Sequence, residues 1–236
     1  MKVNNLSVLI PCYNEKETII SVIDKVQSLK FINKEIIIVD DGSTDGTREL
    51  LRERLNAKNQ VNEKIIFHDR NSGKGAAIKT ALKNVTFDHA VIQDADLEYD
   101  PSDYIYLLKP FEEADADVVY GSRFLGGSGY VRLHFFWHTV ANKILTFLCN
   151  MMVNLNMTDM ETGYKMFKTK HVVNLDLKEK SFGIEPELTI KLAKEKLKFF
   201  EVPISYNGRS YEKGKKIGLK DAFIAIYCIF RYSLFK

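Results

Sequence analysis

Cysteine is scarce in this chain of 236 residues and nowhere paired: Cys12, Cys149 and Cys228 are odd in number and far apart. That spacing excludes a disulfide framework and a cysteine zinc site, and it fits a reducing compartment. Long hydrophobic runs are missing too. No uninterrupted apolar stretch reaches the roughly 18–20 residues needed to cross a bilayer, so the chain is not expected to span a membrane by itself. Met1 leads straight towards a strand pattern, so no signal peptide is expected. The formal net charge, +3, is too small to argue for nucleic acid. There is no internal repeat and no low-complexity tract, hence no reason to place a boundary. With 45% hydrophobic residues the chain can bury a full core, and one domain over residues 1–236 is expected.

What is present is an alternation of strand and helix patterns. Leu6–Ile10, Glu35–Val39, Lys64–His68, Ala90–Gln93 and Asp117–Tyr120 are short, mostly apolar runs. Helical patterns separate them: Glu15–Leu29, Thr47–Leu55 behind the N-cap residues Ser43, Thr44 and Asp45, Ala76–Lys83, and a helix opened by Asp100-Pro101-Ser102 that ends near Glu113. Apolar strands divided by helices predict an α/β fold with a mostly parallel sheet covered on both faces. In such sheets ligands sit at the C-terminal strand edge. Beyond Gly121 the pattern changes. A long helix is expected over Arg132–Val153, a strand at Gly163–Phe167, a helix at Glu185–Lys194, a strand at Phe199–Pro203 and a terminal helix over Asp221–Lys236.

Two carboxylates one residue apart close the fourth apolar run, in His89-Ala-Val-Ile-Gln-Asp94-Ala-Asp96-Leu-Glu98. On an extended chain, side chains at i and i+2 point the same way. Two anions so placed repel unless something positive sits between them. A hard divalent cation with oxygen ligands fills that role and bridges to a phosphate. Taken alone, an Asp-x-Asp pair is more often two solvated turn acids, and the rest of the chain decides the matter.

Three further features fall at strand ends: Pro11-Cys-Tyr-Asn-Glu15, Asp40-Asp-Gly-Ser-Thr-Asp45 and Asn71-Ser-Gly-Lys-Gly75. The Lys74 loop departs from a Walker sequence, which makes a P-loop kinase a poor reading. In this order and at these strand ends, the four together resemble the family 2 inverting glycosyltransferases, with the nucleotide-diphospho-sugar fold called GT-A. In the second half, Tyr120-Gly-Ser-Arg123-Phe, Thr158-Asp159-Met-Glu-Thr-Gly163-Tyr-Lys165, Phe182-Gly-Ile-Glu185-Pro-Glu187 and Val202-Pro-Ile-Ser-Tyr-Asn-Gly-Arg209 resemble the polyprenyl-phosphate branch, whose best-known members are dolichol-phosphate mannosyltransferases. Two departures stand out. Glu98 stands where Gln is frequent, and many members carry C-terminal membrane helices where only one amphipathic segment is expected here.

The resemblance implies a Rossmann-like GT-A sheet and transfer of a hexose from a nucleotide-diphosphate sugar to a polyprenyl phosphate, with mannose from GDP-mannose as the first choice. UDP-glucose or a saccharide acceptor is the alternative, and a non-catalytic nucleotide-sugar-binding subunit the alternative from another class. It assigns Mg²⁺ or Mn²⁺ to Asp94, Asp96 and Glu98, and the nucleotide sugar to Pro11, Tyr13, Glu15, Val39, Asp41, Lys74, Ala95, Arg209 and Lys215 together with the two aspartates. The acceptor phosphate falls to Arg123 and Arg132, with Arg123 counted beside Asp94 and Asp96 in catalysis. A lipid phosphate is already an anion and needs no general base, only cations to place it, and Arg suits a bidentate phosphate contact. Glu185 and Glu187 are expected to position sugar or loop, Asp159 to support the metal region or bind sugar.

His134 and His138 have the i, i+4 spacing of a metal pair but no third ligand nearby, and are read as packing. The segments at about 133–153 and 221–236 mix large apolar residues with His, Lys and Arg, as interface helices do. The expected location is therefore peripheral, at the cytoplasmic face of a membrane, reached directly or through a separate anchor subunit; no nucleic-acid partner is expected.

Overall fold

A computed structural model of the chain describes residues 2–57, 62–126, 135–208 and 219–235. Its frame is a seven-stranded sheet in the order β3-β2-β1-β4-β6-β5-β7. The strands are β1 (Asn5–Cys12), β2 (Asn33–Asp40), β3 (Glu63–Phe67), β4 (His89–Ile92), β5 (Val118–Ser122), β6 (Lys165–Lys168) and β7 (Phe199–Pro203). Helices α1 (Ile19–Ser28), α2 (Thr47–Asn56), α3 (Lys74–Leu82) and α4 (Tyr104–Glu113) alternate with the first five strands. Helices α5 (Phe136–Val153), α6 (Ile184–Lys194) and α7 (Leu219–Leu234) complete the described chain.

Alternation along the strands builds two cores, one per face. Leu6, Val8 and Ile10 of β1 point to the side covered by α1 and α4, where they meet Ile19, Val22, Ile23, Leu107 and Phe111. Leu9 points the other way, with Ile37, Val39, Ala90 and Ile92, against Ala77 and Ile78 of α3, Cys149 of α5, Leu188 of α6 and Ile229 of α7. A strand apolar at every position is what a sheet covered on both faces requires.

Strand β6 departs from the parallel pattern. It lies antiparallel between β4 and β5, with Ala90 opposite Phe167 and Tyr120 opposite Lys165. The loops after β1, β2, β4 and β5 and the loop before β6 therefore meet at one rim. The expected first helix also starts later than its pattern: residues 16–18 form a turn, and α1 begins at Ile19. The Glu15 N–H is already given to the Thr47 Oγ1, which pins this stretch to the start of α2.

Helix α5 is two-faced. Leu145, Thr146 and Cys149 are buried, while Phe136, Trp137, Ile144, Phe147 and Met151 are exposed. On α7, Phe223, Ile224, Tyr227, Phe230 and Leu234 are exposed. The two helices pack against each other. No helix among the described residues is long and apolar enough to cross a membrane.

Candidate active site

The β1 and β2 loops are zipped together by their own side chains. The Asn14 N–H donates to Ser43 Oγ (2.9 Å), the Thr44 N–H to Asn14 Oδ1 (2.8 Å) and the Lys16 N–H to Asp45 Oδ2 (3.1 Å). Asn14 takes a left-handed φ of 55°, a conformation Asn tolerates better than most residues. Asp40 is fully buried and receives the Arg48 Nε at 2.7 Å. Asp41 is a strut. Its carboxylate meets the His68 Nδ1 (2.7 Å) and accepts the N–H groups of Ser72 (3.0 Å) and Gly73 (2.6 Å), fixing the loop that precedes Lys74. The resemblance places Asp41 at the nucleotide; here it is buried, 2% exposed. Pro11 and Val39 are buried neighbours across the β1–β2 ladder and form the floor; Tyr13, 37% exposed, stands above it.

Strand β4 ends at Ile92, and Asp94-Ala95-Asp96 lies in a turn, not on extended chain. The expected i, i+2 strand geometry of the two aspartates is corrected here. Leu97 at φ 61° closes the turn, and Asp96 Oδ1 accepts the Glu98 N–H at 3.1 Å, a cap that a strand would not offer. The carbonyl of the buried Ala95 accepts from the Thr18 hydroxyl (2.7 Å), tying this turn to the β1 loop. Both aspartates remain partly exposed at the rim. Glu98 is turned onto Tyr206, whose hydroxyl donates to its Oε2 at 2.6 Å. Among the described residues no group of three metal-type ligands is assembled, so the expected Asp94–Asp96–Glu98 triad is not preformed.

From Asp94 a line of alternating charge runs inward. Lys74 Nζ lies 2.8 Å from Asp94 Oδ1 and 3.0 Å from Glu185 Oε1, and the fully buried Lys165 ammonium takes the other Glu185 oxygen. Burial opposes the charge on Lys74, but Asp94 and Glu185 more than offset it and raise its pKa well above the usual lysine value. Burial likewise opposes ionisation of Glu185, yet Lys165 and Lys74 together hold its pKa down. Glu187 instead holds a loop, accepting the N–H groups of Lys178 and Glu179, both at 2.7 Å.

Arg123, just past β5, forms a fork with Asp159: Nε to Oδ2 and Nη2 to Oδ1, both 2.7 Å. Asp159 is fully buried and also accepts from Asn142 Nδ2 of α5 at 2.9 Å. Its pKa is lowered, the Arg123 charge overcoming the penalty of burial. The guanidinium sits 5.3 Å from the centre of the Tyr206 ring, on the Glu98 side of the rim. Asp159 thus anchors Arg123. Arg132, Arg209 and Lys215, and also His134, lie outside the described residues.

Sequence reasoning gave no individual role to Asn142, Lys165, Gly163 or Glu161. The first three act through long-range contacts that spacing along the chain does not reveal. Glu161 lay unmarked inside the motif that begins at Thr158. Its Oε1 is buried with no hydrogen-bond partner among the described residues. Burial, then the nearby Glu185 carboxylate, pushes its pKa up to about 7 from 4.5. Between those values the folded chain keeps a proton that the unfolded chain has lost, so stability falls as pH rises through the window and the full cost stands above it. Glu161→Gln should remove roughly 2–3 kcal/mol of that cost. The expected result is a wild-type Tm that declines from about pH 5 to about pH 8 and a flat profile in the variant. Parallel declines would show that Glu161 is not the titrating group.

The comparisons with known proteins agree with this architecture. The profile described as "Glycosyl transferase family 2" matches residues 7–175. The chain is 30% identical over 205 residues to glycosyltransferase AglJ of Haloferax volcanii, covering 86% of this chain and 63% of that relative's length. It is 29% identical over 226 residues to the UDP-N-acetylglucosamine–dolichyl-phosphate N-acetylglucosaminyltransferase of Methanococcus voltae, covering 89% of each. A crystal structure of glucosyl-3-phosphoglycerate synthase from Mycobacterium tuberculosis, in complex with Mn²⁺, UDP and glucosyl-3-phosphoglycerate, superposes with a TM-score of 0.71. At 17% identity, covering 99% of this chain and 81% of that one, it shows a shared fold. With the aspartate turn and the charged rim on a GT-A sheet, and a family profile covering most of the chain, this protein belongs to glycosyl transferase family 2.

Proposed function

We propose that the chain transfers a hexose from a nucleotide-diphosphate sugar to a polyprenyl phosphate. The observation that carries this is the state of the acids at the rim. Asp41, Asp159 and Glu185 are each committed to cations or N–H donors. The pKa values of Asp159 and Glu185 are lowered. A carboxylate held in that way is a poor base. An acceptor that arrives as an anion needs no base. Its phosphate oxygen attacks the anomeric carbon, the bond to the diphosphate breaks, and the nucleoside diphosphate leaves with the electron pair. Arg123, with Arg132, holds the acceptor phosphate, and Lys74 faces the donor diphosphate.

The aspartate turn fits a divalent cation. Two partly exposed carboxylates sit at one rim. Mg²⁺ commonly binds through one or two carboxylates and completes its shell with phosphate and water. Asp94 and Asp96 would hold it, and when bound it would neutralise charge on the leaving diphosphate. The relative named for UDP-N-acetylglucosamine and dolichyl phosphate supports the acceptor class, and brings UDP sugars beside GDP-mannose in any donor panel.

Glu161 favours a second reading, transfer to a hydroxyl, because a pKa of about 7 suits a general base. One assay separates the two: purified protein with Mg²⁺ or Mn²⁺, labelled UDP and GDP sugars, and farnesyl phosphate or farnesol, scored for organic-phase label. Label on farnesyl phosphate alone, retained in Glu161→Gln, supports the phosphate acceptor. Label on the alcohol, lost in Glu161→Gln, overturns it.

The exposed apolar residues of α5 and α7 support a peripheral position on the cytoplasmic membrane face. A polyprenyl tail stays in lipid, so its transferase must come to the interface. Apolar side chains at headgroup depth, aided by attraction of basic residues to anionic lipid, would hold it there reversibly. Co-sedimentation with anionic vesicles should fall with salt and with Ser at Phe223, Phe230 and Phe235. A protein that stays in the supernatant at low salt would instead need an anchor subunit.

A further inference from the structure

Helix α5 carries a polar ladder on the side that faces the protein. Asn142, Thr146 and Asn150 follow at i, i+4 and i+8 and so share one face. All three bond the segment 157–160. Asn150 gives its Nδ2 to the Met157 carbonyl (2.7 Å) and takes the Met157 N–H on Oδ1 (3.0 Å). Thr146 Oγ1 accepts the Met160 N–H (3.1 Å) and donates to Asn142 Oδ1 (3.0 Å). Asn142 Nδ2 then donates to Asp159 Oδ1 (2.9 Å), the same oxygen that receives Arg123 Nη2.

The polarity of this chain is forced. Thr146 accepts a backbone N–H and gives its proton to Asn142, whose amide presents oxygen to it. The amide nitrogen is left facing Asp159, where only a donor satisfies a carboxylate that is fully buried. A reversed amide would put two acceptors, Asn142 Oδ1 and the Asp159 carboxylate, together. The ladder therefore fixes the rotation of the Asp159 carboxylate, and that carboxylate fixes the plane of the Arg123 fork.

We infer that Asn142 is a positioning residue for sugar transfer, holding Arg123 through Asp159 in the orientation that grips the acceptor phosphate, with Thr146 fixing its amide. This rests on the reading of Arg123 as the acceptor-phosphate arginine. It also makes the helix that would lie on lipid the element that sets the arginine, so the phosphate grip and the membrane face share one rigid body.

The test uses the full chain with farnesyl phosphate as acceptor and the nucleotide sugar that wild type turns over. Asn142→Ala should raise KM for farnesyl phosphate about tenfold, and Thr146→Val about threefold, with the nucleotide-sugar KM and kcat within about twofold. Asn150→Ala removes another rung of the same ladder away from Asp159. It should lower Tm comparably and leave the acceptor KM unchanged, which a purely structural role for the ladder does not allow. Equal acceptor KM effects in Asn142→Ala and Asn150→Ala would overturn the positioning role. If Asn142→Ala does not fold, Thr146→Val decides the matter: an unmoved acceptor KM overturns it. Arg123→Lys separates the underlying reading. A raised acceptor KM there with none in Asn142→Ala or Thr146→Val sinks only the positioning role, whereas an unchanged one in Arg123→Lys sinks the phosphate assignment itself.

Discussion

Replacing Asp94 or Asp96 with alanine is expected to abolish sugar transfer and leave the fold standing. Both side chains lie in a turn at the rim, and Asp94 keeps 21% of its side chain exposed, so neither removal opens a cavity in the two cores. What is lost, on the proposed reading, is negative charge where a cation would bridge protein and diphosphate. Removing a preorganised electrostatic contact to a leaving group costs about 3–4 kcal/mol, or on the order of 10²–10³ in rate, and losing the cation as well adds to it. Asp96→Asn sharpens the test. Its amide oxygen still accepts the Glu98 N–H, so the turn survives while the charge goes. In Asp94→Ala, Lys74 keeps Glu185 as its counter-ion, so no cation is stranded. The measurements are turnover, nucleotide-sugar binding with and without Mg²⁺, and Tm. Full activity of wild type in excess EDTA would refute the metal assignment, and an unfolded Asp96→Asn would show that the turn needs more than its cap.

Gly163→Ala is expected to be almost as damaging, for a steric reason. A Cβ at Gly163 would lie 2.2 Å from Asp94 Oδ2 and 3.0 Å from Tyr99 Cε2. The backbone cannot retreat freely, since the Gly163 N–H donates to the Tyr99 hydroxyl (2.9 Å) and the next residue but one begins β6. Asp94 must therefore move, although Lys74 pins its other oxygen at 2.8 Å. Overpacking of this kind costs roughly 1–3 kcal/mol of stability. The functional loss should be larger, because a displacement of about 1 Å at a reacting centre can cost on the order of 10²-fold. The expected pattern is a Tm a few degrees lower with kcat reduced at least that far. Wild-type kcat at a lowered Tm would mean that the Asp94 position has slack.

Much of the fold was legible because its signals are local. Each β strand of the first half is a run of apolar residues bounded by turn formers, and the expected strands match the observed ones to within one or two residues at most ends. The Phe199–Pro203 strand matches at both ends. The helix boundaries were less legible. Helix α1 lost its first turn to contacts made with Thr47 and Ser43, residues far along the chain whose hydroxyls the helix pattern does not register. Asp94 and Asp96 were singled out at the end of β4 for a geometry they do not have, because strand periodicity was carried two residues too far into a turn.

By itself, the order of residues determined the α/β class, the rim at which the unusual residues gather, and the family motifs. All three depend on composition and spacing within a few residues, which the backbone's two periodicities convert directly into faces and ends. Tertiary structure alone decided the antiparallel β6, the Arg123–Asp159 fork and the Asp94–Lys74–Glu185–Lys165 line. Each of these joins residues that chain spacing leaves unrelated, and each is a pairing of opposite charges or of donor with acceptor whose strength depends on burial. Burial is a property of the folded layers: the same Asp159 that would be one solvated acid on an open chain becomes, beneath α5, a charge that must find Arg123.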